Sequence, residues 1–126
     1  MRLIERLPGI GRRVGEMKYG VVGMINQRID SQYKKAINNF KVLGQGLERG
    51  SPIPKIANDC EKFVKENWKE SKFSEEMRSD VKEVFANIES GDFEAEDGVW
   101  ITTIFVPYLR NRQRALKLEV MKKTLR

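Results

Sequence analysis

The residues of this chain that could do chemistry are mostly cationic, and many of them stand near its C-terminus. The last 27 residues carry seven lysines and arginines against one acid, Glu119. The cations are Arg110, Arg112, Arg114, Lys117, Lys122, Lys123 and Arg126. On a helix, Arg110, Arg114 and Lys117 share one face, because they follow one another at steps of four and three. Such a face favours an anion such as phosphate, since the planar guanidinium group of arginine can donate to two oxygens.

A second group of candidate residues lies in the stretch Leu7-Pro8-Gly9-Ile10-Gly11, which Arg12 and Arg13 follow directly. Glycines let the backbone approach an anion closely, because they have no Cβ. The stretch resembles the hairpin of the helix-hairpin-helix DNA-binding motif, in which a turn and the next helix N-terminus meet a phosphate.

The resemblance implies that Gly9, Ile10 and Gly11 form the turn and that Gly15 takes the position of a small residue. It covers residues 3–18 in a single copy. It departs from the family at Lys18, where the second helix of the motif has an apolar residue. An ordinary Pro-Gly turn before a long helix explains the same residues.

Charge is distributed unevenly along the chain. Residues 1–50 carry ten Lys/Arg and four Asp/Glu, residues 51–99 carry seven and thirteen, and residues 100–126 carry seven and one. The formal net charge is +6. Such asymmetry predicts either a partner of one sign or neutralisation of one block by another.

Two arrangements of the C-terminal arginines therefore stay open. They face solvent beside Arg12 and Arg13, or they pair with acids of the middle block such as Glu75, Glu83 and Asp92. Only the first arrangement leaves a surface for a polyanion. Net charge alone does not distinguish them, since it governs non-specific association and not the fold.

Enzyme chemistry finds little support in the sequence. The chain has no histidine, which excludes histidine bases and histidine metal ligands. Its single cysteine, Cys60, stands in an amphipathic stretch and is expected to be a small buried apolar residue. The acids from Asp92 to Asp97 do not match a calcium loop. We expect no catalytic residue, no metal site and no cofactor.

No segment has the length and composition of a membrane span. The longest apolar run, residues 99–109, is about half of the ~20 residues that a spanning helix needs. No signal peptide is expected, and we expect an intracellular, cytoplasmic location. The arginines before residue 14 give a mitochondrial location as the alternative, against which Glu5 and Glu16 argue.

The spacing of apolar residues predicts helices throughout. A long first helix is indicated over residues 14–47 by apolar residues at steps of three and four. Its end is expected among Gly44, Gly46 and Gly50. Residues 99–106 are rich in β-branched and aromatic side chains, but no other run offers a partner strand, so we expect a buried helix there.

Local signals place the remaining helix ends. Pro54 is suited to the first turn of a second helix, and Ser74 to the N-cap of a third. Gly91 is expected to end that helix, and Asp92 to cap the next one. Pro107 is expected to kink the last helix or to restart it.

The sequence thus predicts one all-α domain over residues 1–126, a small bundle of four to five helices with one long N-terminal helix and a basic C-terminal helix. The expected function is non-enzymatic, sequence-independent binding of nucleic-acid backbone. The candidate contacts are Gly9, Gly11, Arg12, Arg13, Arg110, Arg112, Arg114 and Lys117.

The alternative is an accessory subunit of a multiprotein complex that binds protein through aromatic and arginine-rich helix faces. An oligomer is also left open, because large aromatic side chains exceed what a small bundle needs. Core packing is the simpler explanation of those aromatics. They are Trp68, Phe93, Trp100, Phe105 and Tyr108, with Val106.

Overall fold

The computed structural model describes the backbone of residues 8–125 and the side chains of residues 20–124. All regular structure in this part of the chain is helical, which confirms the expected all-α bundle with a long first helix. The elements are α1 (Pro8–Glu48), α2 (Pro54–Asn67), α3 (Glu75–Ser90), α4 (Ala95–Trp100), a π-helical turn (Ile101–Phe105) and α5 (Val106–Leu125). The last three follow one another without a break.

Helix α1 is the central element, because α2, α4, the π-helical turn and α5 all pack against it. It has 41 residues, which corresponds to about 60 Å. Tyr33, Phe40, Leu43 and Leu47 on one face are each at most 1% exposed. Their spacing of seven, three and four is that of a single helix stripe, so the periodicity of the sequence identifies the core face correctly.

The end of α1 is set by Gly50 and not by the earlier glycines. Gly50 has a φ of 77°, its N–H donates to the Leu47 carbonyl at 3.0 Å, and the Ser51 N–H donates to the Gly46 carbonyl at 2.8 Å. This pair of bonds is the Schellman motif. The expectation that Gly44 and Gly46 already mark the end is wrong, because both lie inside the helix.

Gly44 is instead a contact point between α1 and α4. A Cβ added to Gly98 would lie 2.3 Å from the Gly44 carbonyl oxygen, and one added to Gly44 would lie 2.6 Å from Cγ2 of Thr102. The two backbones can come this close only because both residues lack a side chain. The glycine that the sequence indicated as a helix end is therefore a packing residue.

The residues predicted to start α2 and to start and end α3 are confirmed. Helix α2 starts at Pro54. At the start of α3, Ser74 Oγ accepts a hydrogen bond from the Met77 N–H at 3.1 Å. Gly91 closes α3 with a φ of 81°. A serine cap of this kind contributes about 1 kcal/mol.

The predicted cap of α4 is wrong. Glu94 is the N-cap, and it forms a capping box with Asp97, whose carboxylate accepts from the Glu94 N–H at 3.0 Å. Asp92 lies two residues too early and accepts a 3.4 Å hydrogen bond from Ser90 Oγ. The helix starts where two acids three residues apart can satisfy the free N–H groups at its start.

The segment from Val99 to Val106 is helical, as expected, but the expectation that it is buried is wrong on one face, where Val99 is 43% exposed and Ile104 is 49% exposed. It also contains a π-helical turn. The Val106 N–H donates to the Ile101 carbonyl, five residues back. Pro107 follows directly, and it has no N–H to offer the Thr103 carbonyl four residues before it. The wider turn accommodates this missing donor, and Phe105, which ends it, is fully buried.

Aromatic side chains fill the core around Phe40. Its ring lies 4.8 Å from that of Phe105 and 6.3 Å from that of Phe85, centre to centre. Phe73 packs edge-on against Phe105 at 5.9 Å. Burying each such ring contributes about 1.5–3 kcal/mol. Core packing is confirmed for Phe105 and Val106, while the other aromatics of the predicted surplus are half-buried against the same core: Trp68, Phe93, Trp100 and Tyr108.

Candidate nucleic-acid interface

Helices α1 and α5 lie antiparallel, and one acid holds their register. Lys117 of α5 donates to both carboxylate oxygens of Asp30 of α1 at 3.0 Å, and Gln113 donates to one of them at 2.7 Å. At the other end, Gly44 meets Gly98 just before the π-helical turn. These two points fix which side chains of the helices face each other in between.

A groove lined mainly by polar side chains runs between the two helices on the protein surface. Its lining from α1 is Asp30, Lys34, Ile37, Asn38 and Lys41, and its lining from α5 is Arg110, Gln113 and Arg114. We call this surface the basic groove. Its cations are all exposed, two from each helix.

The basic groove carries uncompensated positive charge. None of Lys34, Lys41, Arg110 or Arg114 forms an ion pair with a carboxylate of the described residues. Arg114 Nη1 has only a 3.4 Å contact to Asn111 on its own helix. Asp30, the one carboxylate in the lining, is already bound by Lys117. Four cations therefore face solvent without a neutralising partner in this part of the structure.

The environment of Asp30 stabilises its charged form. Hydrogen bonds from Lys117 and then Gln113 lower the pKa of its carboxyl group from the ordinary value of 3.8. Asp30 is therefore ionised at neutral pH and fully engaged by its two partners. It does not offer a negative charge to the rest of the groove.

Two of the four C-terminal residues predicted as contacts lie in the basic groove, and two do not have free side chains. Arg110 and Arg114 line it. Lys117 lies at its end, paired with Asp30. Arg112 Nε donates to the Ser71 carbonyl at 2.6 Å, on another side of α5. Residues two apart do not share a helix face, so Arg112 points away from the face of Arg110 and Arg114. Its hydrogen bond to Ser71 links α5 to the segment after α2.

The predicted N-terminal contacts are described only in part. Gly9 and Gly11 lie in the first turn of α1, which begins at Pro8, so the expectation that residues 9–11 form a turn ahead of the helix is wrong for the backbone. Residues 1–7, which would supply the first helix of a helix-hairpin-helix motif, lie outside the described residues. The side chains of Arg12 and Arg13 lie outside them as well. The resemblance, and the convergence of these arginines with the C-terminal cations, stay predictions.

Lys34 and Lys41 were missed by the sequence reasoning. Together with Asn38 they follow at steps of four and three, on the side of α1 next to its core stripe. That spacing was available in the sequence. What the sequence did not contain is the register of α1 against α5, which brings these lysines beside Arg110 and Arg114.

The acidic middle block does not neutralise the predicted arginines within the described residues. In the one long-range ion pair of the middle block among the described residues, the middle block supplies the cation and α5 supplies the acid. Lys72 donates to Glu119 of α5 at 2.7 Å, which lowers the pKa of Glu119. The acids of α3 and α4 are largely exposed on their own surfaces. No acid of α3 or α4 lines the basic groove.

The described residues offer little for catalysis or for a metal ion. No group of three metal-binding side chains occurs among them. Cys60 is fully buried, and burial raises the pKa of its thiol far above the usual range. A buried, protonated thiol is a poor nucleophile. None of the described helices is long and apolar enough to cross a membrane.

Comparison with known proteins adds no relative to this geometry. The chain matches no protein-family model, no curated protein and no solved structure.

Proposed function

We propose that this protein binds the phosphate backbone of nucleic acid in the basic groove, without reading its sequence. One observation carries the proposal: Lys34, Lys41, Arg110 and Arg114 converge from two helices while the only acid of the groove is neutralised by Lys117. An extended polyanion fits this arrangement, because it can contact cations on both walls at once.

The types of side chain in the groove suit phosphate. Arg110 and Arg114 stand one helical turn apart, so their guanidinium groups can contact neighbouring phosphates of one strand. Asn38 adds an amide group that can donate to a phosphate oxygen, whereas the Gln113 amide is engaged by Asp30. The binding energy comes mainly from the release of counterions that these cations displace.

The groove has few means of recognising bases. Its lining contains no aromatic side chain on which a base could stack, and Ile37 is its only apolar residue. Stacking and hydrogen bonds to base edges are what give sequence preference. We therefore expect similar affinity for nucleic acids of different sequence.

The alternative function, an accessory subunit that uses aromatic and arginine-rich faces, is less well supported for those particular residues. Phe105 is fully buried, and Arg112 is bound to Ser71. Exposed apolar side chains that could meet a protein are spread over several elements, among them Met24 of α1, Ile104 of the π-helical turn and Leu118 of α5.

The proposal is tested by fluorescence anisotropy with a labelled oligonucleotide of mixed sequence, single-stranded and duplex. The groove variant is Lys34→Gln with Arg114→Gln. The matched control is Lys35→Gln with Lys122→Gln, which removes the same charge from the same two helices outside the groove. We expect affinity to fall about tenfold or more in the groove variant, or about 1.4 kcal/mol. Equal losses in both variants would show attraction by net charge alone, and the proposal would be wrong.

A further inference from the structure

Helices α2 and α3 lie side by side and leave a second groove between them on the protein surface. The helices run antiparallel. Trp68, which follows α2, lies against Arg78 in the first turn of α3, and Ala57 of α2 and Ile88 in the last turn of α3 line one cavity. We call this surface the apolar groove, and it shares no lining residue with the basic groove. Three buried apolar residues form its floor: Val64, Val81 and Phe85.

The apolar groove is elongated. It consists of two adjoining cavities of about 210 and 370 Å³, and Glu61, Phe85 and Glu89 line both of them. Its lining on α3 extends from Arg78 to Glu89, which corresponds to a rise of about 16 Å. Beyond Phe85 the groove continues along apolar side chains such as Ile88. Such a shape suits an extended apolar chain better than a compact ring.

At one end of the apolar groove, the guanidinium group of Arg78 is held in place by packing. Its Cζ lies 4.2 Å from the centre of the Trp68 ring. Its Nε is buried and has no hydrogen-bond partner among the described residues. Glu75 lies 4.0 Å from Nη2 and is 94% exposed, and an ion pair of this kind contributes little. The guanidinium group is therefore preorganised, and the bundle leaves its Nη groups available to an external acceptor.

The charged side chains at the rim give the apolar groove a direction. Lys65 and Lys82 lie near the end that Arg78 occupies, whereas Glu61 and Glu89 lie farther along the same two helices. Lys65 pairs with Glu61 at 3.7 Å. Lys82 is exposed and forms no ion pair with a carboxylate of the described residues. An anionic group is thus attracted to the Arg78 end of the groove and repelled from the other end.

The lining of the apolar groove disfavours a peptide as its occupant. An α-helix is about 10 Å across, so it would rest on the charged rim without reaching the floor. An extended peptide would bury backbone N–H and C=O groups, which is costly without hydrogen-bond partners. Apart from the charged rim, the described residues of the lining offer two polar side-chain groups, the Asn58 amide and the Trp68 indole N–H. A hydrocarbon chain needs no such partners.

We infer that the apolar groove binds the anion of an unbranched monocarboxylic acid, a fatty acid, with its carboxylate at Arg78 and its hydrocarbon chain along the apolar floor. The Nη groups of Arg78 donate to the carboxylate in a charge-assisted hydrogen bond, and Lys82 adds a second cation. Each CH₂ group that the floor buries raises the affinity about fourfold. The site lies on helices that do not line the basic groove, so this inference does not depend on nucleic-acid binding.

Isothermal titration calorimetry of the full chain tests the inference with octanoate, decanoate and 1-heptanol, each below the concentration at which it forms micelles. Decanoate is expected to bind about tenfold more tightly than octanoate, because two more CH₂ groups are buried. Octanoate is expected to bind about tenfold more tightly than 1-heptanol, which has the same hydrocarbon chain without the carboxylate. Arg78→Gln is expected to remove this preference. Arg110→Gln, which removes the same charge from an exposed position of α5, keeps it.

A second pair of variants assigns the binding to the apolar groove without altering Arg78. Ala86 lines the groove and is exposed, so Ala86→Phe fills the groove and is expected to weaken octanoate and 1-heptanol alike, by about tenfold. Ser79→Phe, at an exposed position of the same helix outside the lining, leaves both affinities unchanged. The Lys34→Gln, Arg114→Gln variant of the basic groove also keeps octanoate binding. Circular dichroism checks that each variant folds.

Four results would overturn the inference. Equal affinity of the unaltered chain for octanoate and 1-heptanol would remove the role of Arg78. Undiminished binding by the Ala86→Phe variant would place the ligand outside the apolar groove. Tighter binding of octylammonium than of octanoate would reverse the charge assigned to the head group. No binding of decanoate by the unaltered chain would show that the groove does not take a fatty-acid anion.

Discussion

Lys117 Nζ of α5 lies 3.0 Å from both carboxylate oxygens of Asp30 on α1. This contact sets the register of the two helices that form the basic groove. It also removes the one negative charge from the groove lining. A cation that the sequence indicated as a ligand contact therefore serves the site by neutralising an acid.

Replacement of Asp30 by Asn separates these two roles. Both partners are partly exposed, with side chains 34% and 47% accessible, so solvent screens the pair and we expect a stability loss below about 1 kcal/mol. Nucleic-acid affinity is expected to rise, because Lys117 is released and the groove gains net positive charge. Urea unfolding and fluorescence anisotropy measure the two effects. Lower affinity in a stably folded Asp30→Asn variant would contradict the role assigned to this pair.

Stability is expected to fall in acid and to stay level near neutral pH. Lys117 and Gln113 lower the pKa of Asp30 from 3.8, and Lys72 lowers the pKa of Glu119 from 4.5. A carboxyl group with a lowered pKa stabilises the fold fully above its ordinary pKa, and the contribution is lost as the pH falls through the folded-state value. The chain has no histidine, the residue type whose ordinary pKa lies near 6.5.

Thermal unfolding between pH 2 and pH 8 checks this dependence. The midpoint is expected to be level above pH 5 and to fall below about pH 4. The Asp30→Asn variant is expected to show a shallower fall, since one of the contributing carboxyl groups is absent. An unchanged acid limb in that variant would show that Asp30 does not contribute to it.

The contact between Gly44 and Gly98 predicts opposite effects of one substitution at two glycines. Gly98→Ala places a methyl group against the Gly44 carbonyl oxygen, 2.3 Å away, and we expect a loss of about 1–3 kcal/mol. Gly20→Ala meets nothing within 4 Å and is expected to be neutral or to stabilise the helix by up to about 1 kcal/mol. Urea unfolding of the two variants gives both values. Equal effects would mean that α1 and α4 do not meet at this point.

Much of the fold was predictable because its signals are local. The apolar stripe of α1 identifies the face that buries Phe40, and Ser74 and Gly91 mark the ends of α3 by the hydrogen bonds that their types allow. These signals depend on a few neighbouring residues. At the start of α4 the prediction of Asp92 as the cap was wrong, because the capping box of Glu94 with Asp97 starts the helix two residues later.

Of the two helices that line the basic groove, only the α5 residues were predicted from the sequence. Arg110 and Arg114 were found, because one helix face suffices to bring them together. Lys34 and Lys41 were not, because their position opposite the arginines depends on how two distant helices align. The prediction for Gly44 was wrong for the same reason. The sequence does not distinguish a glycine that ends a helix from one that allows a second helix to pack closely, because this depends on where the second helix lies.

The salt dependence of nucleic-acid binding tests the role of the basic groove most directly. Four groove cations predict a slope of log affinity against log salt concentration of about −3.6 on duplex DNA, at about −0.9 per phosphate. In the Lys34→Gln, Arg114→Gln variant the slope is expected to shrink to about −1.8, while the Lys35→Gln, Lys122→Gln variant keeps the original slope. An undiminished slope in the groove variant, or no binding by the unaltered chain at low salt, would contradict the proposed function.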